Sequence, residues 1–221
     1  MQDCDFKIDN KEVLRYLGYR GQDINDELKE KTERMIKLCL EKASPLYGYR
    51  LFETVENENG IALKGTDVIL RGASIKKHLK GAKMCAVMAV TLGAQIERQL
   101  YALQHSDMPG AVIFNSACTA LTEAVADRCC DLIKQEAENK GFGTGARYSP
   151  GYGDFPVEQQ KDVLLLLDAQ RKLGITLTDS FLMVPRKSVT AVVGLYCGNS
   201  TNEWCGCKTC NKSGKCAYER R

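Results

Sequence analysis

Two stretches of the chain carry residue types whose spacing suits chemistry. The first is Arg147-Tyr148-Ser149-Pro150-Gly151-Tyr152-Gly153-Asp154-Phe155-Pro156. Pro150 fixes its own φ and biases Ser149 toward extended backbone, while Gly151 and Gly153 permit dihedrals and close approaches that a Cβ would block. Arg147 adds a planar fork of five donors suited to a carboxylate or phosphate, and Tyr152 adds a flat ring with a polar tip. Read alone, the stretch is either a rigid ligand-facing loop or an ordinary Pro/Gly turn with surface side chains.

The second stretch is Cys205, Cys207, Cys210 and Cys216, a C-x-C-x2-C-x5-C cluster of four of the chain's eleven cysteines. Four thiolates can close around Zn²⁺ or an iron-sulfur cluster, and Gly206 and Gly214 let the chain wrap tightly. Residue types do not choose between the metals, and free or oxidised thiols are the third option. The other seven cysteines are scattered, mostly in apolar patterns where a thiol behaves as a small hydrophobe. The 1–7 segment is charged where a signal peptide would be apolar, and the apolar run 82–94 is shorter than the ~20 residues of a membrane helix. A soluble cytoplasmic protein is expected. A net charge of +3 with no basic stripe gives no argument for nucleic acid or an anionic membrane.

The elements that must position these residues alternate between helix and strand. Helices are expected over 11–17, 23–43, 94–104 and 111–139, with a short one capped by Ser74. Strands are expected over 49–55, 61–63, 67–70 and 84–90, the last as a buried central strand. In the long helix Phe114, Ala117, Cys118, Leu121, Ala124, Val125, Leu132 and Ile133 form a core stripe. The opposite side carries Ser116, Thr119, Glu123, Ala126 and Cys130, small enough to let a backbone or ligand lie close, so cover on both sides is expected. Glu123 is the carboxylate of that side, either a ligand contact or a solvated glutamate.

The glycine string at Gly141, Gly143 and Gly145 is not a dinucleotide fingerprint, because it follows a helix and is expected to open a loop rather than link strand to helix. Pro156 is expected to start one helix through Leu173, stopped by Gly174, with strands over 175–177, 181–184 and 188–196. His78 and His105 lack paired ligand spacing and are expected at the surface. At 44% hydrophobic, 221 residues can bury one large core plus a small appendage. The fold class is α+β, a single domain over 1–200 with a mainly antiparallel sheet and several helices, plus a cysteine-rich tail over 201–221.

Arg147 to Tyr152, Pro156, a Leu-rich helix, Gly174-Ile175-Thr176-Leu177-Thr178-Asp179-Ser180 and Pro185-Arg186-Lys187-Ser188-Val189 occur in that order. The series resembles the S-adenosylmethionine-binding activation domain of vitamin B12-dependent methionine synthase. There an Arg-x-x-Pro-Gly-Tyr loop precedes Gly-x-x-Leu-Thr-Glu-Ser and Pro-x-x-Ser-Val. The likeness is clear over about 116–193 and does not extend to the tail. It implies S-adenosylmethionine bound through Arg147, Ser149, Gly151 and Tyr152, with Glu123, in Leu121-Thr122-Glu123-Ala124, at the family's acidic position. Asp9 is the candidate for an N-terminal aspartate of the family site, and Tyr196 is displaced from an aromatic position the family uses.

Nothing in this set is a nucleophile or general base, so no catalytic residue is expected on the chain. The resemblance implies reductive reactivation. The domain presents S-adenosylmethionine while an electron donor such as a flavodoxin or ferredoxin reduces oxidised cobalamin, and Co(I) takes the methyl group. The sequence contains no cobalamin-binding or homocysteine-binding module, so a separate cobalamin-binding methionine synthase or other corrinoid protein is the expected partner. The alternative is a metal-binding (Fe-S or Zn) electron-transfer or docking protein for another corrinoid methyltransferase.

Overall fold

The structure, a computed structural model, describes residues 6–198; Cys205, Cys207, Cys210 and Cys216, and with them the metal-site expectation, lie outside the described residues. The described residues form eight strands: β1 (Leu46–Asn57), β2 (Gly60–Leu63), β3 (Ile69–Leu70), β4 (Met84–Thr91), β5 (Phe142–Tyr148), β6 (Thr176–Leu177), β7 (Met183–Val184) and β8 (Ser188–Cys197). Six form one sheet in the order β3-β2-β1-β4-β8-β5, with every neighbouring pair antiparallel. This is the expected α+β architecture. β6 and β7 make a separate two-stranded hairpin, so β7 pairs with β6 and not with β8.

The sheet is buried on both faces because its central strands are mainly apolar, and their polar residues Thr91, Ser188 and Thr190 are buried too. Ala86, Met88 and Val90 of β4 and Ala191, Val193 and Leu195 of β8 belong to one core. Cys85, Val87 and Ala89, with Val192, belong to the other. This is the period-2 alternation of a strand, filled by hydrophobes on both sides. The first core is completed by α1 (Asn10–Tyr16), α2 (Asp26–Lys42), α4 (Gln95–Ser106) and α5 (Met108–Asn139). The second is completed by α3 (Ala73–His78), α6 (Gln160–Leu167) and α7 (Ala169–Leu173).

The 32 residues of α5 make it the longest element. Asp107 caps it by accepting a hydrogen bond from the Gly110 N–H at 3.0 Å. It lies between α1, α2 and α4 on one side and β1, β4, β5 and β8 on the other. Ser116 and Ala126 are buried as well as Phe114, Ala117, Cys118 and Leu121, in accord with cover on both sides. Among the described residues no helix is long and apolar enough to cross a membrane.

Four local expectations are corrected. The glycine string opens no loop; it is the body of β5, because Gly145 lies where a Cβ would come 3.2 Å from the Tyr196 ring and so allows close pairing with β8. The 157–173 segment is not one helix but a 3-10 turn (Val157–Gln159) followed by α6 and α7, broken at Asp168, whose φ is +52°. Ser74 is not the cap of α3: Gly72 holds that position, and the carboxylate of distant Asp154 accepts from the Ala73 and Ser74 N–H groups at 2.7 and 2.8 Å. His78 is fully buried rather than at the surface, stacked on Tyr148 with centroids 4.8 Å apart; His105 is exposed.

Candidate functional site

Arg147 reaches the site because of a β-bulge. Thr144 pairs with Leu195 and Arg147 with Val193, so three steps along β5 match two along β8. One extra residue inverts the alternation beyond it. Directly opposed residues share a face, so Arg147 falls on the α5 side with Val193 and Leu195, and Tyr148, opposite Val192, falls on the other. On the α5 side, Arg147 Nη2 donates to Glu123 Oε2 at 3.1 Å and to Asp127 Oδ1 at 2.9 Å. Burial opposes the guanidinium charge, but Glu123, Cys130 and Asp127 outweigh it and raise the Arg147 pKa. Nη1 is buried, and among the described residues it has no acceptor.

Glu123 and Arg147 form part of the wall of a cleft of about 330 Å³, within the roughly 300–1,000 Å³ of small-molecule sites. Ser149, Pro150 and Tyr152 border it from the loop after β5, and Met183 from the β6–β7 hairpin. Ser188, Val189 and Thr190 contribute the first turn-out of β8. The buried Gln160 also lines it: Gln160 Nε2 donates to the Phe181 carbonyl at 2.8 Å, and Thr190 Oγ1 donates to Gln160 Oε1 at 3.3 Å. This amide ties α6, the hairpin and β8 together at the cleft floor. Ser188 Oγ is likewise committed, 2.7 Å from the Pro185 carbonyl and 2.8 Å from Thr91 Oγ1.

The loop from Ser149 to Pro156 is rigid for the reasons its residues suggest. The Gly151 N–H donates to the Phe155 carbonyl at 2.8 Å with φ +90°, and the Tyr152 N–H donates to the Ser149 carbonyl at 3.1 Å. Gly153, at φ +56°, lies so near α3 that a Cβ would come 2.5 Å from Ser74 Oγ. The N–H groups of Ser74 and Ala73 hold the Asp154 carboxyl below the usual carboxylate range. The 149–156 turn is thereby fastened to the start of α3. Tyr152 is 60% exposed, edge-on to Tyr148 at 5.9 Å, and forms an open wall.

Of the expected site residues, Arg147, Ser149, Tyr152 and Glu123 come together around the cleft. Gly151 lies behind them, its amide used within the turn. Asp9 does not join them; it caps α1 by accepting from the Lys11 N–H at 2.8 Å. Tyr196 is buried and donates to the His78 carbonyl at 2.6 Å. Sequence reading missed Asp127, although it follows Glu123 by four residues on one helix face, where side chains meet. It also missed Gln160, for which a polar residue in a Leu-rich helix was the available signal. The ensemble offers one cation, two carboxylates and no nucleophile paired with a base. It can bind and orient a small molecule that carries charges of both signs.

Residues 73–221 match the family model described as vitamin B12 dependent methionine synthase, activation domain, so the match runs through the cysteine-rich 201–221 stretch, where no likeness was expected. A comparison with the curated proteins returns no match. Among solved structures the chain is similar to the crystal structure of the MetH reactivation domain bound to AdoHcy, with a TM-score of 0.61 and 17% identity over 85% of this chain and 73% of that one. At that identity the likeness establishes the fold. The family match spans the greater part of the sequence, and the chain belongs to the activation-domain family of vitamin B12-dependent methionine synthase.

Proposed function

We propose that the cleft binds S-adenosylmethionine and presents its methyl group to a cobalamin carried by a partner methionine synthase or other corrinoid protein, reactivating it. The observation that carries this is Arg147 Nη1, a buried donor without an acceptor among the described residues, on an arginine that lines an open cleft. Such a donor costs free energy unless a ligand supplies the acceptor. An amino-acid carboxylate is the right partner, and Glu123 is an acceptor for the ammonium or a ribose hydroxyl. Ser149 contributes loop backbone, Gly151 holds the turn, and Tyr152 forms one open wall. The neighbour's bound AdoHcy, the demethylated form of this ligand, supports the assignment.

The partner's cobalamin, reduced by one electron from a flavodoxin- or ferredoxin-like donor, would supply the nucleophile for the methyl group, and AdoHcy would be the leaving group. The chain's own part is to hold the donor. Tyr152, Leu182 and Val184, exposed by 60%, 62% and 39%, surround or adjoin the cleft residues and suit contact with a partner that approaches its mouth. The four tail cysteines are proposed as a zinc or iron-sulfur site in a separate 201–221 segment, on their spacing alone.

The test is an anaerobic calorimetric titration of S-adenosylmethionine into the full chain, followed by transfer of labelled methyl to reduced, cobalamin-loaded methionine synthase. Saturable binding and chain-dependent labelling are expected. A folded chain that neither binds S-adenosylmethionine nor promotes labelling with the partner present overturns the proposal. A visible chromophore or bound metal in that same sample would then favour the electron-transfer alternative.

A further inference from the structure

The bulge that aims Arg147 leaves a backbone problem. Where β5 gains its extra residue, the ladder with β8 is interrupted between Thr144 and Arg147. At such an interruption a backbone carbonyl can take a donor from outside the sheet. His78 of α3 provides it, with Nε2 3.0 Å from the Ala146 oxygen. A carbonyl can only accept, so Nε2 carries the proton. The same imidazole stacks on Tyr148 at 4.8 Å, with ring planes 25° apart. Tyr148 in turn meets Tyr152, the cleft wall, edge-on at 5.9 Å. One side chain thus touches both neighbours of Arg147 in the sequence.

His78 is itself held. Tyr196 Oη donates to the His78 carbonyl at 2.6 Å. The Tyr196 ring fits because both glycines around the bulge lack a Cβ: at Gly145 it would stand 3.2 Å from the ring, and at Gly194 2.5 Å from Oη. Gly194 is the residue of β8 opposite the extra residue of β5. His78, Tyr196 and the two glycines are therefore one assembly built behind the bulge, on the sheet face opposite Arg147.

We propose that His78 is a positioning residue for the ligand site: through the Ala146 carbonyl it locks the bulge that turns Arg147 toward Glu123, and through Tyr148 it sets the wall formed by Tyr152. It touches no ligand. The inference rests on the assignment of the Arg147 cleft as the S-adenosylmethionine site, and one of its tests does not need the ligand. Burial holds the imidazole below the ordinary histidine pKa, against the opposing effect of the Ala146 hydrogen bond, which keeps it neutral at neutral pH.

The variants are His78→Gln, whose amide nitrogen can replace Nε2, and His78→Asn, whose shorter amide cannot reach the carbonyl. In the full chain, His78→Asn is expected to weaken S-adenosylmethionine binding about tenfold and His78→Gln by less than about threefold. In an Arg147→Ala background the His78→Asn effect should disappear. Independently of any ligand, the slowly exchanging ¹⁵N guanidinium signals of Arg147, identified by their loss in Arg147→Lys, should shift or broaden in His78→Asn and return in His78→Gln. If wild type fails to bind S-adenosylmethionine, the ligand assignment falls and the guanidinium spectrum alone decides the brace. Unchanged guanidinium signals in a folded His78→Asn, or a Gln variant no better than Asn, overturn it. Should Asn fail to fold, the imidazole ¹⁵N spectrum of wild type still decides the bond: an Nε2–H tautomer is expected, and an Nδ1–H tautomer refutes it.

Discussion

Replacing Arg147 by alanine separates the ligand's needs from those of the fold. Among the described residues, the Arg147 side chain makes two hydrogen bonds, both through Nη2, to Glu123 at 3.1 Å and Asp127 at 2.9 Å. The partner side chains are 35% and 53% exposed, so solvent screens both pairs and each contributes about 0–1 kcal/mol. Against a domain stability of about 5–15 kcal/mol, Arg147→Ala should fold and melt only a few degrees lower. Binding should respond more strongly. A hydrogen bond from a guanidinium to a carboxylate contributes about 1.5–3 kcal/mol, and each 1.4 kcal/mol is about tenfold, so S-adenosylmethionine affinity should fall about 10- to 150-fold. Arg147→Lys retains the charge but loses the planar fork, and an intermediate loss of about 3- to 10-fold is expected. Anaerobic calorimetry on all three proteins measures these losses, with circular dichroism to confirm folding. A folded Arg147→Ala that binds as wild type does would refute the role of Nη1, and with it the assignment of the ligand carboxylate.

Four further outcomes are expected. Because the folded-state pKa of His78 lies below its unfolded value of about 6.5, the unfolded chain binds the extra proton first, so acidification below about 6.5 should reduce stability; urea midpoints at pH 7.5 and 5.5 should show a slope, up to about 1.4 kcal/mol per pH unit, that His78→Gln flattens. Gly194→Ala places a Cβ 2.5 Å from Tyr196 Oη inside the core and should cost about 1–3 kcal/mol in denaturant melts. Native alkylation mapped by mass spectrometry should, among the described cysteines, label exposed Cys197 first, while burial pushes Cys85 and Cys129 up to about 12 and leaves them unreactive at neutral pH. Asp127→Asn should reduce the preference for S-adenosylmethionine over AdoHcy by a few-fold at low salt, since Asp127 is a half-exposed carboxylate next to the site arginine.

What the sequence made legible was local. Pro150, Gly151 and Gly153 mark a rigid turn because their backbone constraints act within a few residues, and the turn is present. Glu123 stood out because its helix face is otherwise small, a property read from a 3.6-residue period. The missed features are those in which the partner lies far along the chain. The bulge exists only when β5 pairs with β8, about fifty residues on, so Arg147 read as a loop residue rather than the end of a strand. His78 has no paired spacing with anything; its burial follows from Tyr148, seventy residues later. Asp154 caps a helix eighty residues before it, and Gln160 is satisfied by Phe181 and Thr190. A polar side chain in a core acquires its meaning from partners that periodicity cannot supply.

The charge and shape of the cleft explain why such a site carries no reacting group of its own. Arg147, Glu123 and Asp127 sum to one negative charge, whereas S-adenosylmethionine has a sulfonium, an ammonium and a carboxylate and sums to one positive charge. AdoHcy has lost the sulfonium and is neutral, so under the proposed assignment the site's electrostatic hold would be stronger on the donor than on the product and would relax as the methyl group leaves. Methyl transfer needs its nucleophile in line with the breaking C–S bond, and that approach must come from outside a site that contains no nucleophile. A sealed pocket would bind the donor and prevent the reaction. The open wall at Tyr152 and the apolar side chains beside it fit that requirement: under the proposed assignment the water excluded during transfer would be excluded by the partner, and the reacting geometry would be a property of the complex rather than of this chain alone.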